Sequence, residues 1–287
     1  MSAEWAEQDL IAALRELSPD AVQAHADGFW SDVQADVLIN GNYDSTIITD
    51  VKKALAPLLR NPEPRQIPDL QVVKLAPGDQ FVYPVPMEHD DAVLLWYMQA
   101  PANDWPSRGL AALSGQIVKS GFFQQLRTEQ QLGYMVSAFQ YPLADVPGLA
   151  FMVQSPTVSS VQVAAAVEEF LHGTLGDEGI TLQQFERHKQ ALISDILLPH
   201  KNLWEQSEYF WLEIARRQLD FDSRQRLVRE VEAVDYQFWR DWFRQVTITE
   251  RAAVAVIADG RWQEHPRGEE VDSVPAFKQE RAGYSIP

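Results

Sequence analysis

The sequence contains no cysteine. That excludes disulfides, thiolate catalysis and cysteine-based zinc sites. Basic residues are the minority: 24 Lys and Arg stand against 41 Asp and Glu, a net charge of −17. Such a charge repels a phosphate backbone, so no nucleic-acid partner is expected. No apolar run reaches the roughly 18 residues of a membrane span. The opening MSAEWAEQDL lacks a basic stretch and an apolar core, and does not read as a signal peptide. There is no G-x-S-x-G for a serine nucleophile. No glycine pattern for phosphate or dinucleotide binding is present either. What the chain has is bulk. Its 287 residues, 46% of them hydrophobic, can build a sizeable core in one large or two smaller domains.

Along the chain, residues 3–30 carry Trp5, Leu10, Ala13, Leu14 and Leu17 at helical spacing, with a restart at Ser18-Pro19-Asp20. Val33–Ile39 reads as a short strand, turned at Asn40-Gly41-Asn42. Asp44 or Ser45 then caps a helix over about 46–59. Asn61–Asp69 (NPEPRQIPD) has three prolines in nine residues and reads as a linker. Beyond it, Val72–Leu75 and Gln80–Pro84 predict a hairpin around Pro77-Gly78-Asp79. The apolar run DAVLLWYMQA (91–100) predicts a central strand buried on both faces. Pro106-Ser107 opens a helix running to about Arg127, with Leu110, Leu113, Ile117 and Val118 as its core stripe.

Helices follow over 157–171, with Val161, Ala164, Val167, Phe170 and Leu171 inward and Gly173 at the end, and after the capping pattern Thr181-x-x-Gln184. An aromatic helix spans 203–219, two more follow, and Ala252–Ala258 predicts a last buried strand. Arg261–Pro287 is polar and aperiodic and reads as a loose tail. This order predicts an α+β fold, a two-layer sandwich of a mostly antiparallel sheet covered by helices.

The stretch Gly121–Ser155, GFFQQLRTEQQLGYMVSAFQYPLADVPGLAFMVQS, holds the candidate site. Its helix ends near Arg127 and passes Gln131-Leu132-Gly133 into an apolar strand that Tyr134 opens. Gly133 suits the left-handed or close-approach backbone such a junction needs. By residue type alone, an Arg there complements the helix dipole and a Tyr favours the strand. The same two side chains can also donate to a carbonyl that gains negative charge.

This segment resembles the insulinase/pitrilysin family of zinc metallopeptidases. LRTEQQLGY is similar to the signature of that family's C-terminal half, and GLAFMVQS to its companion strand. The resemblance runs from about Val37 to about Gly260. It implies that the Arg and Tyr of the motif, here Arg127 and Tyr134, reach from the C-terminal half into a closed chamber and bind the substrate backbone. Gln154 and Ser155 end the companion strand and are carried as further substrate-binding candidates. Gln130, Gln131 and Gly133 read as scaffold. The resemblance also implies that residues 1–60 close a preceding third domain of the same type, and that 70–260 form a complete fourth one.

The family's zinc pattern is H-x-x-E-H, two His one helical turn apart with a water-activating Glu between. The six His windows here read HADGF, HDDAV, HGTLG, HKQAL, HKNLW and HPRGE, and none fits. His188 and His200 are too far apart to share a helical turn. No metal site is therefore expected in this chain. The resemblance places zinc in the N-terminal half of a full-length enzyme, the implied partner, with peptides as substrates. Glu129 has no partnered His and reads as a solvated acid. Glu205, Glu208 and Glu213 read as the wet face of the aromatic helix. Trp204, Tyr209, Trp211, Trp239 and Trp242 read as helix-packing core. The alternative function is a freestanding metal-free subunit, or a peptide-binding protein, that pairs with a catalytic partner.

Overall fold

A computed structural model describes residues 7–29, 33–59 and 69–286. Trp5 and most of the predicted linker lie outside these residues. In chain order the helices are α1 (Glu7–Glu16), α2 (Pro19–Phe29), α3 (Thr46–Leu55), α4 (Trp105–Phe122), α5 (Ser160–Leu175), α6 (Leu182–Ile196), α7 (Leu203–Ala215), α8 (Ser223–Ala233), α9 (Tyr236–Arg244) and α10 (Val274–Gln279). The strands are β1 (Leu70–Val73), β2 (Gln80–Pro84), β3 (Ala92–Gln99), β4 (Met135–Gln140), β5 (Gly148–Ser155), β6 (Ala253–Ala258), β7 (Glu269–Glu270) and β8 (Gly283–Ile286). The chain divides into two compact units. One holds the N-terminal segment to Leu70 together with Pro199–Phe221, and the other holds Gln71–Leu198 and Asp222–Ile286.

The larger unit is an α+β sandwich. Its six-stranded sheet runs β4-β5-β3-β6-β2-β7. Pairing is antiparallel from β4 across to β6, then parallel at β6-β2 and β2-β7. β3 is central because its apolar run has no polar face to turn to water. Trp96 sits between Phe151 of β5 and Ala255 of β6. Leu94, Trp96 and Met98 of β3 enter one core with Leu113 and Ile117 of α4, Val167 of α5 and Trp239 of α9. Phe122 fastens the end of α4 there, edge-on to Phe151 and Phe170 at 5.5 and 5.2 Å. The one polar group of the buried Trp239 is satisfied: its indole N–H donates to Ser114 Oγ over 3.0 Å.

Local signals place the helix starts. Asp104 caps α4 by accepting from the Ser107 amide at 2.8 Å, with Pro106 in the first turn. Ser159 and Gln162 form a capping box on α5, and Thr181 and Gln184 form the expected one on α6. At α3 Asp44, not Ser45, accepts from the Thr46 amide, at 2.8 Å. α5 continues through Gly173 to Leu175, and Val161 lies on its exposed side while Val163 is buried.

Three local expectations are overturned. The predicted hairpin does not form. The turn at Ala76–Asp79 is present, with an Asp79 amide to Ala76 carbonyl bond of 3.0 Å, but β1 leaves it to pair with β8 in a separate two-stranded sheet. β2 instead lies between β6 and β7. Residues after Arg261 are not a loose tail. They supply β7, α10 and β8, and they bury Val271 and Ile286. Phe277 meets Phe81 edge-on at 4.9 Å, and Arg281 covers both rings at 4.4 and 4.7 Å. Val33–Ile39 forms no strand, because a strand exists only with a ladder partner and this segment makes none.

The smaller unit is built differently. None of its described residues belongs to a buried hydrophobic cluster. α1 and α2 expose Leu10, Leu14, Val22 and Phe29, and Leu17 between them is exposed too. Asn40 is held by α7, donating to Ser207 Oγ at 2.9 Å, and Arg217 pairs with Asp36 at 3.0 Å. α7 departs from expectation at three residues, Trp204 being 72% exposed and Trp211 47% while Glu213 is 2% exposed; Glu208 is exposed as expected. Of the five aromatics read as helix-packing core, Trp239 and Trp242, in the larger unit, lie in the buried cluster.

Candidate functional site

The site forms at the end of the sheet where β3 and β4 begin and β5 ends. α4 does not stop at Phe122 but widens into a π-helical turn over Phe123–Glu129, and the Gln130 amide reaches back to the Gln125 carbonyl at 2.9 Å. Such widened turns recur at functional sites. Leu126 anchors the turn in the core, leaving Arg127 exposed. Gln131, at φ 53°, takes the left-handed conformation, not Gly133. Gly133 serves the close approach: a Cβ there would collide with the Gln154 carbonyl. That contact lets the Tyr134 amide donate to the same carbonyl over 3.2 Å and start β4.

The side chains then fall into place. Arg127 Nη1 donates to the Gly133 carbonyl at 2.9 Å, which folds the arginine over the junction while further guanidinium N–H groups remain. Tyr134, 47% exposed, donates its hydroxyl to Asp91 Oδ2 at 2.8 Å. Gln154 Nε2 donates to the same oxygen at 3.1 Å. The bond to Asp91 is the main reason that the Tyr134 phenol lies above its ordinary pKa, with desolvation and the carboxylate charge adding to it. Tyr134, Gln154 and Asp91 thus meet at one carboxylate.

Ser155 does not join them. It is fully buried, and its hydroxyl donates to the Leu132 carbonyl and accepts from the amides of Thr157 and Val158 at 3.2 and 3.0 Å. Expected as a contact for a peptide, it is instead a fastener of the turn. Glu129 is exposed and takes the Gln124 amide at 3.3 Å, which agrees with a solvated acid.

Asp91 itself is only 8% exposed. Its amide donates to His89 Nδ1 at 3.0 Å, and that nitrogen lies 3.6 Å from Asp91 Oδ1. Behind it, Gly260 (φ 57°) approaches so closely that a Cβ would collide with the carbonyls of Asp90 and Asp91. The Arg261 amide donates to Asp90 O at 3.1 Å, and Arg261 Nη2 to Pro156 O at 2.8 Å. Asp91 is not among the residues expected at the site; its window HDDAV fails the zinc pattern and carries no other motif. The available signal was a pair of carboxylates directly before the central strand. Among the described residues, no group of three or more His, Asp and Glu could hold a metal ion, and no helix is long and apolar enough to cross a membrane.

The family described as "PQQ synthase PqqF-like, C-terminal lobe domain 4" matches residues 113–211, which include the whole junction. Insulin-degrading enzyme of Drosophila melanogaster is 26% identical over 250 residues, covering 84% of this chain and 25% of that protein. Protease 3 of Escherichia coli (strain K12) is 27% identical over 199 residues, covering 66% of this chain and 21% of that protein. The crystal structure of pitrilysin superposes with a TM-score of 0.84 at 22% identity, over 100% of this chain and 31% of the other. The chain therefore spans about a quarter of the length of the curated relatives it matches. In sequence this chain is thus similar to insulin-degrading enzyme and protease 3, and in fold to pitrilysin.

Proposed function

We propose that this chain acts as the non-catalytic C-terminal half of a zinc metalloendopeptidase. In this reading its partner is an N-terminal half that carries the zinc and the water-activating Glu. The two close around unfolded peptides, and the reaction is metal-assisted hydrolysis of a peptide bond. The described residues offer no set of ligands to one ion, so this chain's part lies in binding. Arg127 supplies donors to a peptide carbonyl as it gains charge. Tyr134 and Gln154 add polar contacts to the peptide backbone. Ser155 keeps the turn that presents them.

The observation that carries this reading is the junction Leu126–Tyr134. It sends an exposed arginine and a half-exposed tyrosine out of one sheet end, beside Gln154. A second observation bears on the partner. The exposed apolar residues of α1 and α2, in a unit of which no described residue joins a buried cluster, suit a segment that packs against further polypeptide of the same domain type. The test is to add a purified zinc-bearing N-terminal half to this chain and follow cleavage of a quenched fluorescent peptide. Restored cleavage that falls at least tenfold with Arg127→Ala or Tyr134→Phe is the expected result. Association and cleavage insensitive to both substitutions would remove the site assignment. Absence of association would favour the freestanding subunit.

A further inference from the structure

We propose that Asp91 is the positioning residue of this site: by taking the Tyr134 hydroxyl and the Gln154 amide on one carboxylate oxygen, it holds both in the arrangement that meets a peptide. The inference rests on the substrate-binding role given above to Tyr134 and Gln154. Its own warrant is geometric.

A tyrosine that is half exposed just before an edge strand has little packing to fix its ring. β4 is the edge of the sheet, and Tyr134 precedes it. Gln154, half-buried on β5, has three rotatable side-chain bonds. Left to themselves, both side chains would sample several rotamers, and ordering them on substrate binding would weaken that binding. Asp91 removes that cost in advance. Its Oδ2 accepts from Tyr134 Oη at 2.8 Å and from Gln154 Nε2 at 3.1 Å. Hydrogen bonds to an ionised acceptor are about twice as strong as neutral ones.

The carboxylate is itself held. It sits directly before β3, where Ala92 is in register with Ser155. Gly260 backs its carbonyl, and the Asp91 amide is fixed on His89. A buried carboxylate needs such donors to offset its lost hydration, so the bonds to Tyr134 and Gln154 stabilise Asp91 as it orders them. Asp91 touches the peptide through neither arrangement. It acts through the two side chains it holds.

Two measurements test this, and they separate the proposal from the reading it rests on. The first uses this chain alone. The phenol of Tyr134 is followed by ultraviolet titration, with Tyr134→Phe subtracted to assign it. The carboxylate holds that phenol protonated, so Asp91→Asn, nearly isosteric, should move its titration to lower pH. An unchanged Tyr134 titration in Asp91→Asn overturns the proposal. The second measurement is peptide cleavage after assembly with the zinc-bearing half. Asp91→Asn should lower kcat/KM about tenfold in the wild-type background, and by less than twofold when Tyr134→Phe is already present. An equal loss in both backgrounds means that Asp91 acts through the fold, and overturns the proposal. If Tyr134→Phe itself has no effect on cleavage, the substrate-binding assignment fails, while the titration still decides whether Asp91 holds Tyr134.

Discussion

The two units of this chain use similar helices to different ends. α4 and α5 bury a stripe of apolar residues against a sheet, so each substitution in that stripe is felt by a closed core. α1 and α2 carry apolar residues at the same spacing and leave them in water. The difference is not in the helices' own patterns. It lies in whether a second layer is present to receive them. An amphipathic helix records that a partner exists, and it does not say whether that partner is on hand.

The comparison can be broken most directly at Phe122. That ring is fully buried between Phe151 and Phe170, and Phe122→Ala should cost about 3–5 kcal/mol in a urea unfolding measurement on the larger unit. A loss under about 1 kcal/mol would mean that this core is no better packed than the smaller unit. Gly133→Ala is expected next, at about 1–3 kcal/mol, because the added methyl must displace the Gln154 carbonyl. This substitution should also shift the nuclear magnetic resonance signals of Tyr134, and retained stability with unshifted signals would sink the close-approach account. The smallest effect belongs to the other unit. Leu14, 65% exposed, has no core to leave, so Leu14→Ala should stay within about 0.5 kcal/mol in this chain. A cost of 2 kcal/mol there would show a packed face where none is described.

What could be read from the sequence divides along the same line, between local and distant partners. The Thr181/Gln184 capping box needs only four consecutive residues, and it forms as expected. The buried β3 announces itself by an unbroken apolar run. The spacing of Arg127 and Tyr134 puts both at the junction, because a helix end and a strand start are themselves local features. The hairpin of β1 and β2 failed for the opposite reason. Pro77-Gly78-Asp79 specifies a turn, but β2 finds a better ladder with β6, far along the chain. The residues after Arg261 hold few apolar side chains and no period, and only the positions of Phe81 and Val72 in space give Phe277 and Ile286 something to cover. Asp91 was missed in the same way. Its partners Tyr134 and Gln154 are 43 and 63 positions away, and a carboxylate shows nothing in its own neighbourhood of what will donate to it.

The pairing of β1 with β8 has a consequence in time. Gln71 binds Ser285 side chain to side chain at 3.0 Å, and the Lys74 amide donates to Ala282 at 2.9 Å, so the two margins of the larger unit meet across more than 200 residues. Contacts of such sequence separation form late and slowly, after the loop entropy between them has been overcome. β1 is made before β8, so it has no β8 to pair with while the chain between them is synthesised. It is closed only when residues 283–286 emerge, so an interrupted chain would present an open strand edge that the finished protein never exposes.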